Sequence, residues 1–85
     1  MTLVVCYLQA KDPETGEEDL MIGTAHEACG WDDAFDIARV MIEEHLGIDI
    51  GTFGTDEEFE AELYWGYSPP GEDRVTKAIQ IIETD

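Results

Sequence analysis

Apolar and polar positions follow a helical period between Trp31 and Leu46. Read at about 100° per residue, the apolar side chains fall in one arc and the acidic side chains in the other. Gly30 or Asp32 is placed to cap the first turn, and Gly47 is placed to end the helix. The pattern predicts an amphipathic helix over 31–46, with an apolar face on a sheet and a nearly all-acidic face in water. The apolar arc contains Ala34, Phe35, Ile37, Ala38, Met41, Ile42 and Leu46.

Two apolar runs before this helix predict a pair of antiparallel strands. Thr2–Gln9 is almost uninterrupted in apolar, β-branched and aromatic residues, which is typical of a strand buried on both faces. Lys11–Asp19 is polar and contains a proline and a glycine, so it predicts a turn. Leu20–His26 then predicts a second strand that returns alongside the first.

Two further segments follow the helix. Gly47–Gly54 contains three glycines and predicts a connector, from which Ile48, Ile50 and Phe53 are expected to pack beneath the sheet. Val75–Glu83 predicts the last strand, although its apolar positions also fit one helical face.

The stretch between these segments carries two conflicting patterns. Thr55 followed by Glu58 fits a capping box at the start of a short helix. Apolar and polar residues instead alternate from Glu58 to Tyr67, which is the period of a strand. We give the alternation more weight and predict a strand over 58–67. The chain then predicts one α+β domain over 1–85, in which a four-stranded antiparallel sheet carries one helix on one face in the order β-β-α-β-β.

The charge of the chain is unlike that of an ordinary small domain. It has 21 acidic and 4 basic residues and a formal net charge of −17, whereas a magnitude of about 2–8 keeps a small domain soluble. A hydrophobic content of 44% is enough for a core, which argues against a disordered acidic tail. The imbalance disfavours direct binding to nucleic acid or to an anionic membrane and favours a basic partner protein.

The cysteines and the first residues indicate a cellular compartment. Cys6 lies in an apolar run and Cys29 precedes the helix, and two cysteines do not make a disulfide framework. We expect both thiols to be reduced and largely buried. The first apolar run follows no basic region and is too short for a signal core or a membrane span. These features predict a cytoplasmic protein.

Motifs for catalysis and cofactor binding are weak throughout the chain. His26 and Cys29 have no second pair with which to complete a tetrahedral zinc site. Ser68, the only serine, precedes two prolines and lacks the surroundings of a nucleophile. The glycine-rich stretch 47–54 contains no lysine or arginine for a phosphate. We therefore expect no enzymatic activity, no cofactor and no metal.

Two arrays of carboxylates remain as the candidate site. On the predicted third strand, Glu58, Glu60 and Glu62 would project from one face about 6.7 Å apart, twice the strand rise. That repeat is close to the separation of successive phosphates along a nucleic-acid strand. Tyr64 on the same face is a candidate aromatic anchor, and the helix contributes the second array. The predicted partner contacts are Asp33, Asp36, Glu43, Glu44, Glu57, Glu58, Glu60, Glu62 and Tyr64.

In size, acidity and β-β-α-β-β layout, the chain resembles the small acidic proteins with which phages counter bacterial defences, including anti-CRISPR proteins and other DNA mimics. The resemblance implies a non-enzymatic inhibitor. Such an inhibitor occupies the crRNA- or DNA-binding surface of a Cas complex, or of another basic nucleic-acid-binding protein, in the cytoplasm of the bacterial host.

Other interpretations of the same residues stay open. The segment 30–47 is similar to the helix of the HicB-like antitoxin domain, which implies a small regulatory interaction module. Such a module would be a monomer, or a homodimer that pairs through the aromatic-rich third and fourth strands. A solvated surface of ordinary function, or a halophilic host, would also produce an acidic chain.

Overall fold

The first strand of the chain lies inside the sheet, between two neighbours. The structure is a computed structural model that describes residues 2–11 and 20–84. Its strands are β1 (Thr2–Ala10), β2 (Leu20–Ala28), β3 (Tyr64–Tyr67) and β4 (Lys77–Thr84), and they form one antiparallel sheet in the order β2-β1-β4-β3. The predicted α+β class, with a four-stranded antiparallel sheet and one main helix, is confirmed.

The sheet buries apolar side chains of β1 on both of its faces. Leu3 and Val5 pack toward the helix, whereas Cys6 and Leu8 pack on the opposite face with Ala78 of β4. The uninterrupted apolar run of β1 therefore does have the two buried faces that it predicts. The predicted turn over 11–19 lies outside the described residues, apart from its first residue.

The amphipathic helix forms where the hydrophobic period predicts it. α1 (Trp31–Met41) crosses one face of the sheet, and the chain continues as a wider π-helical turn over Ile42–Leu46. Gly47 ends this turn with a φ of 67°, a left-handed conformation that glycine adopts without steric penalty. The buried side chains of this segment are Ala34, Phe35, Ala38, Met41, Ile42 and Leu46.

The chain between α1 and β3 contains short helical segments and no strand among the described residues, so the predicted strand is wrong over 58–63. A 3-10 turn at Ile50–Phe53 leads to a short helix, α2 (Asp56–Glu60). The Thr55 hydroxyl caps α2, because its Oγ1 accepts a hydrogen bond of 3.2 Å from the Glu58 backbone N–H. Only Tyr64–Tyr67 joins the sheet, which leaves the capping box as the pattern that determines the local structure.

Aromatic rings from four segments fill the core beneath α1. The rings of Phe59 and Trp65 stack with centroids 4.5 Å apart, and Phe35 meets both rings edge-on. Phe53 also packs edge-on against Phe59. The expected packing of the connector is confirmed, since Ile48, Ile50 and Phe53 all lie against this core. No polar or charged side chain is buried within 2–11 and 20–84.

β2 forms one edge of the sheet and is largely exposed. Its pairing with β1 shifts register after Tyr7, because Thr24 lies opposite Tyr7 and Ile22 lies opposite Leu8. Gly23 is the extra residue, and a Cβ atom there would lie 3.3 Å from the Tyr7 ring. The glycine therefore lets this ring lie close against the edge strand.

Candidate acidic interface

Arg39 joins the acidic surfaces of the two helices. Its Nη1 lies 3.1 Å from Asp36 Oδ1, and its Nη2 lies 3.8 Å from both Asp56 Oδ1 and Glu60 Oε1. The guanidinium carbon also lies 4.8 Å from the centroid of the Phe59 ring. These four charged residues, Asp36, Arg39, Asp56 and Glu60, are called the acidic junction below.

The carboxylates of the acidic junction face water, whereas its cation is held inward. The side chains of Asp36 and Asp56 are 77% and 91% exposed, and the side chain of Arg39 is only 24% exposed. Three carboxylates around one guanidinium leave a net negative charge at this surface. The junction therefore places acids of α1 and α2 next to one another on the surface.

The acidic junction contains two of the predicted contacts, Asp36 and Glu60. It also contains Asp56, which the sequence does not predict as a contact. Asp56 is not among the predicted contacts, because a strand over 58–67 gives no reason to place this residue beside Asp36. The capping box at Thr55 would have placed Asp56 in the first turn of a helix, where acids are favoured.

Asp33 has a structural partner within the chain. Its Oδ2 accepts a hydrogen bond of 2.9 Å from the backbone N–H of Cys29, just before α1 begins. This contact fixes the entry into the helix in the manner of a capping box. Glu43 and Glu44 follow near the end of the helical segment and are both exposed.

The regular array predicted at Glu58, Glu60 and Glu62 does not form. Glu58 and Glu60 lie in α2, where successive side chains turn by about 100°, and Glu62 follows the helix outside any strand. These glutamates therefore do not share the face that a strand would give them. Glu58 and Glu62 instead line a shallow pocket beside Phe59 and Trp65, whereas Glu60 belongs to the acidic junction. Glu57 is exposed on α2. The predicted repeat of about 6.7 Å is therefore wrong.

Tyr64 lies away from these glutamates. It packs against the cluster of Cys6, Leu8 and Ala78, on the sheet face that α1 does not cover. The prediction that Tyr64 shares a face with the glutamates is wrong, because the chain passes from α2 into β3 between them.

A groove lies between the edge strand β2 and α1, with a volume of about 450 Å³. Its lining includes Asp36, so the groove begins where the acidic junction ends. In the part of the chain that the structure describes, no lysine or arginine lines it, and Val40 contributes an apolar surface that is 54% exposed. The lining residues are His26, Glu27, Asp36, Ile37, Val40, Met41, Glu44 and His45.

Most of the positive charge in the described ranges is engaged within the chain. Arg39 belongs to the acidic junction, and Arg74 forms an ion pair of 3.1 Å with Glu72. The Lys77 ammonium lies 5.9 Å from the centroid of the Tyr67 ring. Lys11 is exposed. The surface offered to a partner is therefore strongly acidic.

The two thiols differ in environment. Cys6 is buried, and this burial raises the pKa of its thiol, whereas Cys29 is exposed. Both cysteines are free thiols, but the expectation that both are largely buried is wrong for Cys29, because it follows the edge strand instead of lying under α1.

Within residues 2–11 and 20–84, the structure contains no group of three or more His, Cys, Asp or Glu side chains that could hold a metal ion. In the same ranges, none of the helices has the length and apolar character needed to cross a membrane.

Comparisons of the chain with protein-family models, with curated proteins and with solved structures find no match. The function is therefore inferred from the geometry and charge of the chain itself.

Proposed function

We propose that this protein is a non-enzymatic inhibitor that binds a basic, nucleic-acid-binding surface of a bacterial defence complex, in the manner of an anti-CRISPR protein that mimics DNA or RNA. It would act in the cytoplasm of the host cell. The observation that carries the proposal is the acidic junction, in which α1 and α2 hold exposed carboxylates around one inward arginine.

Carboxylates carried by helices suit a basic, nucleic-acid-binding surface for a physical reason. A surface that binds nucleic acid places Lys and Arg where phosphates will lie, and it releases counterions when acids replace the phosphates. Acids carried by helices need little ordering when they bind, so less binding energy is lost. The net charge of −17 also speeds the encounter with a basic surface.

The contacts proposed for this surface follow the geometry of the helices. Asp36, Asp56 and Glu60 form its centre, and Glu57 lies on the same short helix. Asp33 contributes charge but is already hydrogen bonded to Cys29. Glu44 lines the groove beside Asp36, and Glu58 and Glu62 line the pocket beside Phe59. Glu43 is exposed, and Tyr64 packs on the sheet instead.

The test begins with capture of partners from bacterial lysate at low salt, followed by a salt gradient and mass spectrometry. We expect recovery of one nucleic-acid-binding complex, which its own nucleic acid displaces from the protein. Recovery of many basic proteins without fixed stoichiometry would contradict the proposal, because the negative charge would then attract basic proteins without specificity.

A matched pair of double variants then locates the interface. Asp56→Lys with Glu60→Lys reverses two acids of the junction, and Asp73→Lys with Glu83→Lys makes the same change of net charge elsewhere. We expect the first variant to lose binding to the captured complex and the second to retain most of it. Circular dichroism checks that both variants are folded. Equal effects of the two variants would contradict a specific acidic interface.

A small regulatory interaction module, antitoxin-like or homodimeric, is the second candidate. The exposed edge of β2 favours it, because an unpaired strand edge can pair with another chain. β4 lies between β1 and β3, so a dimer through the third and fourth strands would have only the short β3 edge available. A mass that rises with protein concentration in light scattering supports the homodimer.

A further inference from the structure

We infer that the groove between β2 and α1 is a docking site for an extended basic segment of a partner protein, which adds as a further strand to the outer edge of β2. The inference rests on the proposed function only in taking the partner to be basic. The edge strand and the groove are separate from the acidic junction except for Asp36, which belongs to both the groove and the junction.

Apart from the register shift at Gly23, the edge of β2 has few of the features that block strand addition. β2 is nine residues long, contains no proline or lysine, and carries Glu27 as its only acidic residue. Among the residues that the structure describes, β1 is the only strand that pairs with β2, and α1 packs against one face of β2. Its outer backbone N–H and C=O groups are therefore available to pair with an incoming strand.

The groove beside this edge would receive alternate side chains of the incoming strand. Side chains of a strand point to opposite faces, so every second residue would face α1. Ile37, Val40 and Met41 provide apolar surface there, and Asp36 and Glu44 add carboxylates. Long cationic side chains fit this lining, because their methylene stems cover apolar surface while their charged ends reach acids.

The charge of the groove identifies the occupant as a basic segment. A second copy of this chain would bring the same carboxylates and another net charge of −17 to the edge, which opposes pairing. An uncharged segment would gain no ion pair with the exposed carboxylate of Glu44, a groove acid that Arg39 does not pair. An extended segment that alternates Lys or Arg with apolar residues satisfies both the edge and the groove.

The test uses a labelled, nine-residue peptide of alternating lysine and valine, and two forms of it that are N-methylated on one or the other alternate set of residues. An added strand uses only one of these sets to pair with β2. We expect one methylated form to bind at least about tenfold more weakly than the other in fluorescence anisotropy. Equal binding of both forms would overturn strand addition, since all three peptides carry the same charge.

Variants of the protein test the groove itself. Glu44→Gln should weaken peptide binding severalfold, whereas Glu43→Gln removes the same charge from the neighbouring residue outside the groove lining and should not. Val40→Ser should weaken it, whereas Leu63→Ser, at another exposed apolar residue (44% exposed), should not. Peptide binding that is insensitive to Glu44→Gln and Val40→Ser would overturn the docking site.

The remaining outcomes separate this inference from the proposed function. If the peptide forms bind equally while the captured complex still depends on Asp56 and Glu60, docking at β2 is wrong and the proposed function stands. If strand addition is observed but no nucleic-acid-binding complex is recovered, the proposed function is wrong and the docking site stands. A dimer that forms without peptide and excludes it would overturn the inference in favour of a second copy.

Discussion

The guanidinium of Arg39 lies over the ring of Phe59, 4.8 Å from its centroid, and so places a cation of α1 against an aromatic side chain of α2. The ring is buried in the core, whereas the three carboxylates around the guanidinium face solvent. One arginine therefore links the hydrophobic core to an acidic part of the surface.

Replacement of Arg39 by alanine is expected to destabilise the protein by about 1 kcal/mol, because the contact with Phe59 and the ion pairs are lost together. Lysine keeps the charge but lacks the planar group, so Arg39→Lys should lie between the two. Urea unfolding at low and high salt measures the difference, which should shrink with salt as repulsion among the carboxylates is screened. Equal unfolding midpoints for all three proteins would contradict this account.

Thr55→Ala is expected to cost about 1 kcal/mol of stability, since α2 loses the hydroxyl that accepts from the Glu58 N–H. Thr55→Ser keeps the hydrogen bond and should be close to the wild type. Thr52→Ala is a matched control at an exposed threonine in the neighbouring 3-10 turn. Thermal unfolding followed by circular dichroism compares the three. Similar losses from Thr55→Ala and Thr52→Ala would argue against the cap.

The sequence predicted the fold well wherever one pattern acted alone. The helical period from Trp31 placed α1, and the apolar run of β1 placed the buried central strand, because burial of a continuous surface determines both. At 58–67 two patterns competed, and the alternation included Phe59, which is buried from a helix. β4 extends to Thr84 and has room to pair with a strand that reaches back to Glu60, so the register does not decide the outcome. The helix is favoured instead by the cap at Thr55 and by the burial of Phe59 from α2.

The acidic junction was only half visible in the sequence. Asp36 precedes Arg39 by three residues on α1, a helical spacing that predicts this ion pair, but nothing in the sequence predicts that Glu60 of α2 approaches the same arginine. The contact depends on how Phe59 packs in the core, which is a tertiary relationship. The scarcity of cations was the available signal, because an arginine within an acidic helix of this chain is expected to be surrounded by carboxylates.

The two cysteines are expected to react with thiol reagents at very different rates. Cys29 is exposed and should be alkylated by iodoacetamide in the native protein, whereas Cys6 is 2% exposed and should react only after denaturation. Mass spectrometry of the labelled protein with and without urea measures both sites. In Cys29→Ser, native labelling should disappear. Rapid native labelling of Cys6 would show that the open face of the sheet admits reagents.

Stability is expected to fall at alkaline pH. Burial raises the pKa of the Cys6 thiol above its ordinary value of 9.0 and the pKa of the Tyr7 phenol above its ordinary value of 10.0. As pH rises past these values, the unfolded chain releases protons before the folded chain does, which favours unfolding. The stabilisation that both groups give to the folded state is therefore fully present below about pH 9. It is lost as the pH rises through the pKa values that the two groups have in the folded protein.

Urea unfolding over a series of pH values from neutral to alkaline measures this decline. Cys6→Ala should remove the loss of stability that begins near the ordinary pKa of a thiol. Tyr7→Phe should remove the loss of stability that begins near the ordinary pKa of a phenol, at higher pH. A wild-type stability that stays constant through this range would contradict the raised pKa values.

The pairing of β1 with β4 also has a consequence for the time course of synthesis. β1, β2 and α1 leave the ribosome before β4, so a hairpin covered by a helix can form while one side of β1 still lacks its neighbour. During that interval an apolar strand edge is exposed to other nascent chains. The net charge of −17 on each chain is expected to oppose contact between these unfinished sheets until β4 pairs with β1.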